Sequence, residues 1–574
     1  MEVMVFLSVV FLCLMYYTYF YVKRDKLSNQ AQETIKLQDK WLLMILLAAG
    51  FLLRAAFGIQ PNDKSGDLSN FRWAVDTLLN NGYKSVYESG VNISFPPLLV
   101  QVLALIGAVC KLFKLNVQTI GTSAAIVLFK LPSIICDMII ATVIFKAAKK
   151  NFTKRGATIL AAAFLLNPAA IMDTSILGQM DSIVSMCTLL MCWFLYEKKS
   201  GFAIISFVAA VLLNPLMVIL APVLVIGVLD DLVFDGFEMK KVVNAVIGLA
   251  ISIVGGILIC LPMGLSTVWN NFKQCYSAFP YCSVNAYNFW TMIDYNWTQE
   301  TTTYLGLSCR AWGSIFVGLF AVAAIVWHYV SKRKKTNYFY LASFFVIIVF
   351  TFSTRMHERY LYNAMAILLM FFVLKPFVEN YILYAVFTLV QIGNMAFVYY
   401  MYDPNKFSAK EPVPNLISKV LFIGFIAFIV MVIYRMVHKE TAVEMQSVTL
   451  DSNVMEKEEE KPFVIERTSK MPKWTKVDTI AVLAIMIVYS AFALHDIGYR
   501  YAPHTQWSYT RSAELVNSGD VTTIEPAGQI TLDLGESKYV QTLKYYLGNF
   551  ENRKFTIEYA DTLDGPWQSV GENE

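Results

Sequence analysis

The chain has 574 residues, 56% of them hydrophobic, 14% aromatic and only 16% charged, where soluble globular chains carry about 25% charge. Length alone would allow about three or four soluble domains, but apolar runs of about 15–25 residues, the length of a spanning helix, recur from Met4 to Leu494. With a mean hydropathy of +0.50, this excludes a soluble multidomain protein, and a net charge of +4 carried in short loops argues against nucleic acid as a partner.

In chain order the apolar runs fall at 3–22, 41–59, 95–113, 125–145, 157–175, 181–197, 202–229, 242–263, 309–330, 338–353, 360–374, 378–400, 416–437 and 477–495. The first is followed by Lys23-Arg24-Asp25-Lys26 and carries no cleavage-site pattern, so it reads as an anchor with its C-terminal end inside. Further basic clusters are Lys149-Lys150 with Lys154-Arg155, Lys198-Lys199, Lys240-Lys241 and Lys332–Lys335. One threading places all of them in the cytoplasm. It requires a hairpin at Asn214-Pro215, where proline interrupts a run too long for one helix. It also requires the run 95–113 to lie at the interface or return to the side it entered from.

Four polar segments then face outward together: 60–94, 172–181, 264–307 and Thr354–Tyr360. The expected organisation is an anchor helix and inner loop (1–40), a membrane domain (41–437), a charged cytoplasmic linker (438–475), a last spanning helix (476–495) and an extracytoplasmic domain (496–574). The linker, with Glu456–Lys461, is too polar to bury a core. The final segment alternates apolar and polar residues at Gln529–Leu534, Val540–Tyr546 and Phe555–Tyr559, which reads as antiparallel β structure. Six cysteines (Cys13, Cys110, Cys136, Cys187, Cys192 and Cys260) sit in or beside apolar runs as packing residues. Cys275 and Cys282 share an outer loop and could pair.

Three constellations carry chemistry. Asp63 and Asp67 follow the second run, and Asp67 precedes a helical pattern at Leu68–Asn80 with an apolar face, where it would also serve as an N-cap. Gln179 and Asp181, with Asp173 nearby, stand at the start of an apolar helix that does not need them. Arg355, His357, Glu358 and Arg359 lie between two apolar helices with hardly any spacer. Ionised groups cost about 2–3 kcal/mol or more in lipid, so these must pair with one another or face a polar cavity. Two arginines and a histidine suit an anionic ligand; a Glu358–arginine pair tying helices together is the simpler alternative.

The stretches "SGDLSNFRWA" with Asp67, "SFPPL" at Ser94–Leu98, "LPSIICD" at Leu131–Asp137, "GQMDS" at Gly178–Ser182, "NAYNFW" at Asn285–Trp290 and "TRMHERY" at Thr354–Tyr360 occur in the order seen in the GT-C superfamily. The region from about 41 to 440 resembles those polyprenyl-phosphate-sugar-dependent glycosyltransferases, and in particular bacterial protein O-mannosyltransferase-like proteins. The tail from Ile530 to Trp567 resembles the first half of a discoidin-like (coagulation factor type C) domain. The implied fold is an all-α polytopic membrane protein of about 13–15 transmembrane helices with a small β-rich, partial jelly-roll tail.

The resemblance implies a plasma-membrane hexosyltransferase that moves a sugar such as mannose from a polyprenyl phosphate to a hydroxyl of a protein, wall polymer or glycolipid. It implies Asp67 as general base, with Gln179 and Asp181 orienting sugar hydroxyls. Arg355, His357 and Arg359 would face the phosphate, with Glu358 fixing one of them, and Tyr287 and Trp290 would stack on the sugar. No metal-ligand set is evident, although Asp63 and Asp67 could share a divalent ion. Departing from related sequences, Asn214-Pro215 stands where a Lys-Pro pair is common, which removes a lysine–phosphate contact. A transporter or flippase is the rival reading, since broken helices and intramembrane charges also mark transporters. The charges gather at one membrane face, and no repeated halves are visible.

Overall fold

The computed structural model describes residues 7–19, 37–59, 67–88, 95–115, 117, 126–401 and 412–437, and in the tail 522–524, 531–533, 555–560 and 565–573. Asp63, the linker 438–475 and the run 477–495 lie outside the described residues. Among those described, seven helices are long and apolar enough to cross a membrane: Trp41–Gly58, Val127–Ala148, Pro215–Phe234, Met239–Met263, Cys309–Val330, Val378–Tyr400 and Pro412–Tyr434. A further helix pair, Lys154–Leu165 with Pro168–Leu177, is bent by 48° as a broken span or a re-entrant loop, and six shorter apolar helices complete an all-α polytopic membrane protein. The bend has a local cause. Pro168 has no amide proton to continue the helix, and Asn167 caps the new turn by accepting from the amides of Ala169 (2.9 Å) and Ala170 (3.2 Å).

The basic loops converge at one end of the bundle. Lys150 meets Glu197 at 2.5 Å, Lys198 meets Asp235 at 2.9 Å, and Arg333 lies 3.5 Å from Asp230. The hairpin also closes here. Ser200, at the start of its first leg, donates to Asp231, at the end of its second, at 2.6 Å. Its tip is Asn214-Pro215, where the Asn214 side chain accepts from the Leu216 amide at 3.1 Å. The hairpin packs on Met239–Cys260 through Gly201 and Gly248. Added Cβ atoms would run into the Asn244 backbone at Gly201 and the Gly201 backbone at Gly248, so only glycine permits this approach.

The segments expected to face outward meet at the opposite end. Helix Asp67–Asn81 buries Leu68, Phe71, Ala74 and Val75, and the last of these packs on Gly107 of helix Pro97–Leu112. Tyr83 donates to Gln101 (3.1 Å) and Tyr87 to the Phe95 carbonyl (2.7 Å). The run 95–113 is thus companion to the amphipathic helix of the first loop. The long loop is stitched to the Thr354–Tyr360 segment: the Arg355 amide donates to Tyr281 O and the Val284 amide to Met356 O, each at 2.9 Å. In the tail, Thr522–Ile524 pairs antiparallel with Thr531–Asp533, and Phe555–Tyr559 with Gln568–Asn573. Val540–Tyr546 lies outside the described residues.

Candidate functional site

The site is assembled at the end of the bundle away from the basic loops, from three segments distant in sequence. Asp67 occupies the first turn of helix Asp67–Asn81 itself, one step inside the N-cap position expected for it. Its Oδ2 accepts from Gln179 Nε2 at 2.6 Å and lies 3.5 Å from Arg359 Nη1. Arg359 Nε lies 3.5 Å from Asp181 Oδ2, and its Nη1 lies 3.4 Å from Glu358 Oε1. One guanidinium therefore sits among three carboxylates.

The turn carrying Gln179 and Asp181 is held from below. A widened, π-type turn at Met172–Leu177 ends at Gly178, whose φ of 72° is left-handed. A Cβ there would also press on Lys130, at 3.1 Å. Lys130 Nζ donates to Ser175 O at 2.6 Å and Ser133 Oγ to Gln179 O at 2.8 Å. Beneath lies a fully buried ion pair, Arg54 to Asp137 at 2.7 Å. Asp137 also accepts from Ser182 (2.6 Å) and Tyr362 (3.2 Å), and Arg54 donates to Leu165 O at 2.7 Å. Removing either partner would strand a charge in a dry interior, at about 3–5 kcal/mol. Asp137 was visible in "LPSIICD", but Arg54 lay inside an apolar run with no partner in sight.

Asp173 is also fully buried, and neither of its carboxylate oxygens has a hydrogen-bond partner among the described residues. It interacts electrostatically with Asp181, Arg359, Asp137 and Glu358.

One arginine of the expected phosphate face is engaged by a residue absent from that expectation, Glu300. Arg355 makes a two-pronged pair with Glu300, through Nε at 2.9 Å and through Nη2, and Thr354 donates to the same carboxylate at 2.8 Å. Burial raises the Glu300 pKa, but hydrogen bonds from Arg355 and Thr354 bring it below its ordinary value. The Tyr281–Gln299 bridge delivers Glu300 to this position, a long-range pairing that no local pattern encodes. Arg355, with φ of 65°, is thereby turned into the long loop.

His357 is half-buried and tied to the long loop. Its backbone pairs with Val284 and Asn285, and its ring meets the edge of Phe279 at 5.1 Å. Desolvation and then the Arg359 charge push its pKa down to about 3, which favours the neutral imidazole at neutral pH. Burial raises the Glu358 pKa against the pull of Arg359. For Arg359, burial disfavours the charge, but Asp67 and Glu358 outweigh it and hold the pKa above the ordinary value.

The two aromatic candidates lie deeper than the basin. Tyr287 and Trp290 are both fully buried. The Tyr287 amide donates to Asn394 Oδ1 at 2.9 Å, and Trp290 Nε1 donates to Phe352 O at 2.8 Å. Neither ring offers a face to a sugar; both anchor the long loop to the bundle. Cys282 shares a small core with Trp290 and Cys309; its pairing with Cys275 falls on a side chain outside the described residues. Among the described residues, no group of three His, Cys, Asp or Glu side chains is arranged to hold a metal ion.

The basin is thus rich in acceptors: Asp67, Asp181 and Glu358 around a single arginine. Such an arrangement suits a ligand presenting hydroxyl or ammonium donors, and Asp67, whose side chain is 27% exposed, is its accessible carboxylate. No curated protein matches the chain. Residues 65–290 match a family model described as GPI transamidase subunit PIG-U; the matched region contains Asp67, Gln179 and Asp181 and ends before Arg359, so it covers two of the three segments that build the basin of this multi-pass membrane protein.

Proposed function

We propose that the protein is a membrane glycosyltransferase that moves a hexose such as mannose from a polyprenyl phosphate to an acceptor hydroxyl at the outer face of the plasma membrane. The observation that carries this reading is the convergence of Asp67, Gln179, Asp181 and Arg359 at one end of the bundle. In the proposed step, Asp67 takes the acceptor proton as the acceptor oxygen bonds to the anomeric carbon. The bond from that carbon to the phosphate oxygen breaks, and polyprenyl phosphate departs. A base at hydrogen-bond reach contributes about 10²–10⁴-fold. Asp181 and Gln179 would orient sugar hydroxyls. Arg359 is the cation left for the leaving group, and it would have to loosen from Asp67 or Glu358 to act there. The acceptor remains a protein, wall-polymer or glycolipid hydroxyl.

The test uses the full chain in lipid nanodiscs with polyprenyl-phosphate hexoses and no ion gradient. Release of polyprenyl phosphate with sugar transfer is expected. Gradient-dependent passage of intact lipid-linked sugar would instead favour a transporter.

A second reading is favoured by the pairing of Arg355 and Arg359 with carboxylates and by the similarity to a family described as a transamidase subunit. Here the same acidic basin holds the glycan of a lipid without cleaving it, within a larger membrane assembly. Donor binding without turnover, together with stable protein partners on mild solubilisation, would select this reading over the first.

A further inference from the structure

The long outer loop and the helix that follows it meet at two cysteines. Cys282 and Cys309 are both completely buried and form, with Trp290, a small core separate from the main one. Both are free thiols in the structure; Cys282 Sγ donates to Gln299 O at 3.5 Å, and each thiol acts electrostatically on the other. Each is set by backbone bonds: the Cys282 amide donates to Thr298 O at 2.7 Å and the Cys309 amide to Thr302 O at 3.0 Å. The segment between them carries Glu300, which holds Arg355, and Asn285, whose carbonyl accepts from Asn394 at 2.8 Å. The other cysteines whose side chains are described are Cys13, Cys110, Cys136, Cys187, Cys192 and Cys260, all in the apolar helices. The pair therefore stands apart, on the face that the basic loops place outside, where thiols meet oxidants. Packing of two reduced thiols is the simpler alternative.

We propose that Cys282 and Cys309 are joined by a disulfide in the mature protein, closing the loop that supports Arg355. In forming it, each thiol loses its proton, one S–S bond is made, and two electrons pass to the disulfide of an oxidised dithiol oxidoreductase, which is reduced to its dithiol. The bond would tie the Glu300 segment to the first turn of helix Cys309–Val330. This goes beyond the functional reading and does not depend on it.

The test is thiol mapping of the full chain. Membranes are quenched with N-ethylmaleimide in denaturant without reductant, and the peptides are read by mass spectrometry. The expected result is a Cys282 peptide joined to a Cys309 peptide, two hydrogens lighter than their sum and free of maleimide. In the Cys309→Ser variant, Cys282 should become fully labelled. Maleimide on both cysteines of the unaltered chain, or Cys282 joined to Cys275, would overturn the proposal. As a second readout, reductant should lower the thermal midpoint of the unaltered protein and leave that of Cys309→Ser unmoved; equal shifts in both would also overturn it.

Discussion

Replacing Asp67 with asparagine separates the chemical role of this carboxylate from its structural one. Asparagine keeps the shape and an acceptor oxygen for Gln179 Nε2, which now stands at 2.6 Å. What is lost is the charge 3.5 Å from Arg359. Arg359 retains Asp181 at 3.5 Å and Glu358 at 3.4 Å, so no cation is stranded. The cost to folding should therefore stay near 1–2 kcal/mol, below the ~3–5 kcal/mol of a buried pair broken outright. The cost to catalysis should be larger. Loss of a general base lowers turnover by about 10²–10⁴-fold, or about 3–5 kcal/mol in the barrier. The assay is release of polyprenyl phosphate from a lipid-linked hexose in nanodiscs, beside donor binding and thermal midpoint on the same preparation. Turnover within a fewfold of the unaltered protein, with donor binding and folding intact, would refute the base assignment and leave Asp67 as a helix-start residue that orients Arg359.

Four further outcomes follow from the geometry. Glu300→Gln should lower stability by about 2–3 kcal/mol, because it removes the carboxylate from Arg355 in a largely buried pair; thermal or denaturant unfolding checks it, and an unchanged midpoint would deny the pair its structural role. His357 has a folded pKa of about 3 against ~6.5 unfolded, so the unfolded chain binds the extra proton between these values and stability falls as pH drops below about 6.5. His357→Gln should remove up to about 1.4 kcal/mol per pH unit of that slope, and parallel slopes would contradict the depressed pKa. Gly248→Leu should disrupt the hairpin packing, costing about 1–3 kcal/mol or more by overpacking, seen as a lowered midpoint. An impermeant maleimide on intact cells should label Asp76→Cys and spare Lys332→Cys; labelling of the latter would reverse the threading.

Sequence alone determined that this is an all-α polytopic membrane protein, because hydrocarbon selects long apolar helices whatever their neighbours. It also located the break at Asn214-Pro215, since proline's missing donor is a local fact, and the gathering of the basic loops at one end. It pointed to Asp67, Gln179, Asp181, Glu358 and Arg359 because charge beside apolar helices is conspicuous without any structure. Tertiary structure decided who pairs with whom. Arg355 could not be assigned to Glu300, nor Arg54 to Asp137, because each partner lies far along the chain and no periodicity links them. Tyr287 and Trp290 could not be recognised as anchors, because an aromatic in a polar loop reads the same whether its ring faces solvent or fills a core. Cys282 resembled a partner for Cys275 by nearness in sequence, and only the return of the loop onto helix Cys309–Val330 set it against Cys309. The segments were legible because membrane insertion is a local energetic question; the site was not, because its charges are neutralised by residues that only the folded chain brings within 4 Å of one another.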